Sequence, residues 1–363
     1  MDGFSAVFEA PVTQPPGLDE LVQATMAWHF SSETGSPYWL RRREDLGFDP
    51  LSDIKSFADL RLFAGVDVDW STVAASDLIP TGCAGANFGI FESGGATGAP
   101  KRIVDATSRR RNVEWQSVLL DEQKFPAGGG GWLHVGPTGP HIMAKNVTNL
   151  ATIRGMLCHY IDLDPRWVRR CLGQGRHDLF QLYLDHLLDQ VTDVLVSQDI
   201  RAISSTPPVF AQMARRPHLL NLLQSKIRGV IWGGTSIDAE SLRLLETEVF
   251  TDAVVAGAYG NTMMGVAPQR TRRDGDPQPC IFRPFYPYSV VEVMDPSEPT
   301  TLASEGQPGR VQITSLTREL FVAPTLERDQ ATRWATPDGF AGVDISGVKP
   351  NAAAADAVIV GVY

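Results

Sequence analysis

Apolar residues at Leu18, Leu21, Val22, Met26 and Trp28 recur at helical spacing, which predicts a helix over 18–30. The stretch 37–64 is mixed and broken by Gly and Pro. A short apolar run at 88–91 leads into the glycine-rich SGGATGAPK of 93–101, and an Arg-rich periodic segment follows over 106–123. That order reads as strand, loop, helix. Four glycines at 128–131 precede the strand-like WLHV of 132–135 and read as a mobile turn with its backbone open to water. From Asp178 to Val196, Leu179, Leu182, Leu184, Leu187, Leu188, Val191, Val194 and Leu195 mark one long amphipathic helix.

Further on, a strand at 200–204 is stopped by Thr206, Pro207 and Pro208, and helical patterning runs to Leu223. A strand at 229–232, a helix at 238–249 and a strand at 253–256 follow. Strands alternating with helices predict an α/β fold on a parallel sheet. After Pro268 the pattern changes: strands at 289–294 and 310–314 are separated by Pro-, Gly- and Ser-rich turns, which predicts a small antiparallel or barrel-like appendage.

With 363 residues, 43% of them hydrophobic and 20% charged, the chain can bury a large core without cross-links. Thirty-two basic against 42 acidic residues give a net charge of −10, which argues against nucleic acid as a ligand. An acidic chain that holds an anion must build a local positive pocket from N–H groups, helix ends or a cation. Cys83, Cys158, Cys171 and Cys280 form no CxxC pair, so neither a zinc site nor a disulfide framework is expected. The N-terminal segment lacks the basic-then-apolar pattern of a secretory signal, and no run approaches 18 apolar residues. The expected location is cytoplasmic, with no membrane span.

Three strand ends carry the chemistry. Ser93, Gly94, Gly95, Thr97, Gly98 and Lys101 form a loop able to turn backbone N–H groups and one ammonium toward a phosphate. It is no Walker A loop, because Ala99 and Pro100 separate Gly98 from Lys101, and it holds no GxGxxG. The second end is Gly233, Gly234 and Thr235, opening a helix; the third is Tyr259, Gly260, Asn261 and Thr262. Ligands of open parallel sheets settle outside the carboxyl ends of strands, so the three together form a rim for one ligand. Gly257 and Gly265 would flatten a pocket for a ring.

In order and spacing this trio resembles the large N-terminal domain of the acyl-adenylate-forming superfamily. It is most similar to the phenylacetate-CoA ligase branch and to short stand-alone relatives of phenazine antibiotic pathways. The resemblance rests on Thr97-Gly98-Ala99-Pro100-Lys101, Gly233-Gly234 and Tyr259-Gly260-Asn261-Thr262, and covers about residues 85–345. It implies an α/β domain of doubly wound sheets with a small β-barrel-like subdomain. The boundaries it implies are an adenylation core of two subdomains at 1–268, a β-rich subdomain at 269–340 and a vestigial C-terminal segment at 341–363.

The implied reaction joins a small carboxylic acid, aromatic by preference, to ATP as acyl-AMP with Mg²⁺, in secondary metabolism, and passes the acyl group to a separate acceptor or carrier protein. Lys101 and the first loop would hold the phosphates, Thr262 would lie near the α-phosphate, and Gly233 and Gly234 would back the adenine on which Tyr259 stacks. Asp329, in TLERD, would take the ribose. His141 would line the acyl pocket; the plainer reading is a turn histidine.

The sequence departs from the family at four places. Met263 follows Thr262 where a metal-binding glutamate is usual, and a thioether is a poor ligand for a hard cation, so no metal ligand is assigned. Glu92 is the nearest carboxylate in sequence to the loop. Gly94 and Ala96 replace hydroxyl donors worth about 1.5–3 kcal/mol each to a charged acceptor. Glu327-Arg328 stands where Thr-Gly usually precedes the aspartate. Full-length relatives add a small domain with a catalytic lysine, whereas the only lysine of 344–363 is Lys349, outside that context. The alternatives are a degenerate substrate- or nucleotide-binding module and an acyl-protein synthetase, with Cys83 the first thiol to examine. Arg109–Arg111 read as a solvated helix face. The absence of HExxH and of a GxSxG context argues against a zinc hydrolase and a serine hydrolase. The oligomeric state stays open, a homodimer included.

Overall fold

The computed structural model describes residues 6–66, 68–93, 99–336 and 338–351. Its strands, in chain order, are β1 Gly89–Glu92, β2 Arg102–Asp105, β3 Gly131–Gly136, β4 Leu157–Asp162, β5 Ile200–Ser205, β6 Gly229–Gly233, β7 Val254–Asn261, β8 Gly265–Pro268, β9 Ser289–Met294, β10 Pro308–Leu316, β11 Phe321–Trp334 and β12 Asp344–Pro350. The chain forms two compact units. The first comprises the described residues of Met1–Trp115, Asn261–Val266 and Arg283–Ile345; the second comprises those of Gln116–Gly260, Ala267–Phe282 and Ser346–Tyr363.

In the first unit a four-stranded sheet, ordered β12-β11-β10-β9, pairs antiparallel across β9, β10 and β11. Its apolar face meets the N-terminal helices, of which Leu18–Phe30 buries Leu21, Val22, Met26 and Phe30. Phe321 of β11 centres this core, its ring 5.2 Å from those of both Trp39 and Phe63. Full burial of such rings contributes about 2–3 kcal/mol each, and their tilted contacts add to that. The antiparallel sheet expected after residue 268 is therefore present, with β11 and β12 beyond the two strands that the pattern shows.

The second unit is built on a six-stranded sheet ordered β4-β3-β5-β6-β7-β8, in which β4, β3, β5, β6 and β7 run parallel. β3 is buried along its length, and helix His177–Ser197 packs Leu184, Leu187, Leu188, Val191 and Leu195 inward. Pro207 does more than stop β5: it stands at the start of helix Pro207–Ala214, where its missing N–H costs nothing. The glycine turn also differs from expectation. Gly128 and Gly129 have positive φ, but their N–H groups donate to the carbonyls of Arg154 and Gly155 at 2.8 and 3.0 Å, so this backbone is tied down. No helix among the described residues is long and apolar enough to cross a membrane.

Candidate functional site

The glycine-rich loop joins two strands rather than a strand and a helix. β1 pairs antiparallel with β2, Glu92 opposite Arg102, and only after β2 does helix Ser108–Glu122 begin. Gly94, Gly95, Thr97 and Gly98 lie outside the described residues. The two ends of the loop are pinned together: Ser93 N–H donates to Lys101 O, and Lys101 N–H donates to Ser93 Oγ, both at 2.9 Å. Glu92 is engaged by Arg102 at 2.9 Å, so this carboxylate already has its cation.

Lys101 Nζ reaches Glu327 Oε1 at 2.9 Å, the lysine side chain 39% exposed and the glutamate 8%. Glu327 owes its position to an irregularity in β11. Gln312 pairs with Leu326 and Arg310 with Gln330, so Glu327, Arg328 and Asp329 together oppose the single residue Val311. Bulges of this kind re-aim side chains. Arg310 Nη2 holds the Glu327 carbonyl at 3.0 Å, and Arg328 Nε lies 4.0 Å from Asp329 Oδ1. Two segments that are remote in sequence, the loop lysine and the TLERD segment, therefore meet in the first unit through a residue not assigned from the motifs. The only sequence signal for Glu327 is its departure from the usual Thr-Gly.

The turn holding Thr262 is fixed from below by helix Ser108–Glu122. Arg109 Nη2 donates to the carbonyls of Thr262 and Met263 at 2.5 and 3.2 Å, and Ser315 Oγ donates to Met263 O at 2.9 Å. Asn112 brackets Val266, accepting its N–H and donating to its carbonyl. Gly265, at φ 107°, fits because it lacks a side chain: a Cβ would overlap Arg109 Nη1 and stand 2.5 Å from Asn112 Oδ1.

The arginine triplet is thus not a solvated face. Arg109 is buried, Arg111 lies over the Tyr288 ring and donates to Ala10 O, and Arg110 alone is exposed, paired with Glu114. Burial pushes the Arg109 pKa down, against the pull of Asp105 and Glu319. Glu319 caps the helix from another segment, accepting from the N–H groups of Ala106, Thr107 and Ser108 and from the Thr107 hydroxyl. Its burial favours the neutral acid, but these donors outweigh that and hold the carboxyl below its usual range.

In the second unit Gly233 ends β6 and Gly234 follows at φ 79°. A Cβ on Gly233 would meet Ala258 O at 2.6 Å, so the glycine permits close approach of β6 and β7. Thr235 Oγ1 is buried with no hydrogen-bond partner in the protein. Tyr259 and Gly260 lie near the end of β7, the Tyr259 ring 6.3 Å from that of Phe282. Gly257 is packed closely, since a Cβ there would stand 2.7 Å from Trp232 Cζ2 and 2.9 Å from Cys280 Sγ.

His141 is the residue before helix Ile142–Ile153 and is buried. His134 is buried on β3 beside Ser204, and burial lowers its pKa to about 4, so the ring is neutral. Asn261, whose Oδ1 accepts from Met263 N–H, and Thr262 belong to the first unit. The described residues contain no group of three His, Cys, Asp or Glu able to hold a metal ion. Among the described carboxylates beside the loop, Glu327 could take one position on a cation that arrives with phosphate oxygens.

These elements define the α/β fold of the large N-terminal domain of adenylate-forming enzymes. The chain is similar to 2-hydroxyisobutyryl-CoA ligase in an open conformation with 2-HIB-AMP and CoA, at TM-score 0.53 and 14% identity, covering 90% of this chain and 66% of that one. Against the same ligase in its thioesterification state the TM-score is 0.52 at 16% identity, with 92% and 65% covered. ATP-bound MatB from Rhodopseudomonas palustris matches at TM-score 0.47 and 16% identity over 84% of this chain and 57% of that one. The chain therefore spans roughly two thirds or less of the length of these proteins. No protein-family model and no curated protein matches it.

Proposed function

We propose that the protein is an acid-activating ligase: it joins a small carboxylic acid, aromatic by preference, to ATP, giving an acyl-AMP and pyrophosphate. The observation that carries this reading is the meeting of Lys101 with the Glu327–Asp329 bulge on a fold shared with acyl-CoA ligases. Attack of a carboxylate on an α-phosphate brings two anions together, so charge must be neutralised and the partners held in line. Lys101 binds phosphate, Asp329 accepts from the ribose hydroxyls, and Thr262, its carbonyl anchored by Arg109, presents its other groups to the α-phosphate. Gly233, Gly234 and Thr235 take the adenine edge and Tyr259 its face; His141 belongs to the acyl pocket. Mg²⁺, when bound, offsets phosphate charge and stabilises the leaving pyrophosphate.

The acyl group then passes to a separate acceptor, CoA or a carrier protein, in a secondary pathway. Self-acylation at Cys83 is disfavoured, because burial pushes that thiol up to about 11. The test is ATP–pyrophosphate exchange over a panel of aryl and alkyl acids. Exchange with one acid class supports the reading; no exchange with any acid, together with no ATP binding, refutes it. One observation favours a second reading, a binding module without turnover: Met263 is buried and bonded through its backbone, and it offers no carboxylate. Tight binding of an acid that nucleotide does not alter would select that reading.

A further inference from the structure

The Lys101–Glu327 ion pair sets a condition on any polyphosphate that uses Lys101. We propose that Glu327 makes nucleotide binding conditional on a divalent cation, an inference that rests on the nucleotide reading above. Glu327 is 7% exposed overall and its backbone is held by Arg310, so its carboxylate has little freedom to withdraw into water. Its partner in the protein is the ammonium that the phosphate would claim. A phosphate at hydrogen-bond distance from Lys101 Nζ leaves the Glu327 carboxylate facing a second anion a few ångströms away. At the effective dielectric of such a site that repulsion weakens binding on the order of tenfold to a hundredfold.

A divalent cation between the two reverses the sign, since Mg²⁺ readily takes one carboxylate along with phosphate oxygens. Glu92, which ends β1 just before the loop, is paired with Arg102. At the Thr262 turn Met263 offers only a thioether. Among the described residues, Glu327 is thus the carboxylate that an ion pair places at Lys101.

The test is ATP affinity of the full chain, measured by calorimetry with excess Mg²⁺ and with EDTA. For the unaltered chain, Mg²⁺ should tighten binding by about tenfold or more. Glu327→Gln keeps the shape and removes the charge. It should bind ATP in EDTA about tenfold tighter than the unaltered chain and reduce the Mg²⁺ effect to about threefold or less. A merely damaged site would not gain affinity. Glu327→Asp should retain the Mg²⁺ dependence. An equal Mg²⁺ effect in the unaltered chain and Glu327→Gln overturns the inference and leaves the nucleotide reading standing. Folded protein that binds ATP under neither condition overturns both.

Discussion

Replacing Arg109 by methionine removes the cation from a buried cluster while roughly keeping volume. Arg109 is 7% exposed, and its guanidinium donates to the carbonyls of Thr262 and Met263 and feels the charges of Asp105 and Glu319. Each hydrogen bond from a charged donor is worth about 1.5–3 kcal/mol, and the two share one group, so they do not add in full. Breaking a buried ion cluster by removing one partner costs about 3–5 kcal/mol, and that is the expected loss. It is a large fraction of the 5–15 kcal/mol that typically holds a domain folded, in order-of-magnitude terms.

Urea unfolding followed by tryptophan fluorescence reads this loss. A double-mutant cycle with Glu319→Gln should show a coupling of about 1–2 kcal/mol, because the Glu319 charge acts on the guanidinium. Arg109→Lys, which keeps charge without the fork, should recover part of the stability. A cost below about 1 kcal/mol for Arg109→Met would refute the view that this side chain anchors the Thr262 turn.

Gly265→Ala should cost more than Gly128→Ala by over about 1 kcal/mol in the same assay. Both sites have positive φ, but only at Gly265 does a Cβ meet other atoms; equal costs would contradict the packing described. His29 and His134 each have a folded pKa of about 4 against 6.5 in the open chain. The unfolded state therefore binds more protons between these values, and stability should fall as pH drops from 6.5 toward 4, by up to about 3 kcal/mol per histidine. His134→Gln should remove about half of that pH dependence, and an unchanged slope would contradict the assignment. Cys83, with its thiol pushed up to about 11, should be alkylated at pH 8 at least about a hundredfold more slowly in the native than in the unfolded chain. Mass spectrometry of alkylated peptides checks this.

Periodicity located helix Leu18–Phe30 to the residue, although it is buried nearly all round, with only Asp19, Glu20 and Gln23 exposed. It located helix His177–Ser197 to within one residue at each end because one face is buried and the other solvated. It missed β4, whose residues 157–160 leave Leu157 and Tyr160 exposed at the sheet edge and so carry no inward-outward alternation. It missed β2 because four residues between a loop and a helix are too short to show a period. Lys101 and Asp329 could be named from motif order, but the grouping of residues 283–345 with the N-terminal helices is a tertiary fact. Arg109 and Glu327 were illegible in a different way. A charged residue in a sequence looks solvated until the fold buries it, and only the bulge in β11 turns Glu327 toward Lys101.

The most direct measurement is a crystal structure of the chain with a non-hydrolysable ATP analogue and Mg²⁺. Phosphate oxygens should lie within about 3 Å of Lys101 Nζ, with the Lys101–Glu327 pair opened and the ribose hydroxyls on Asp329. Nucleotide bound elsewhere, with Lys101 still paired to Glu327, would contradict this.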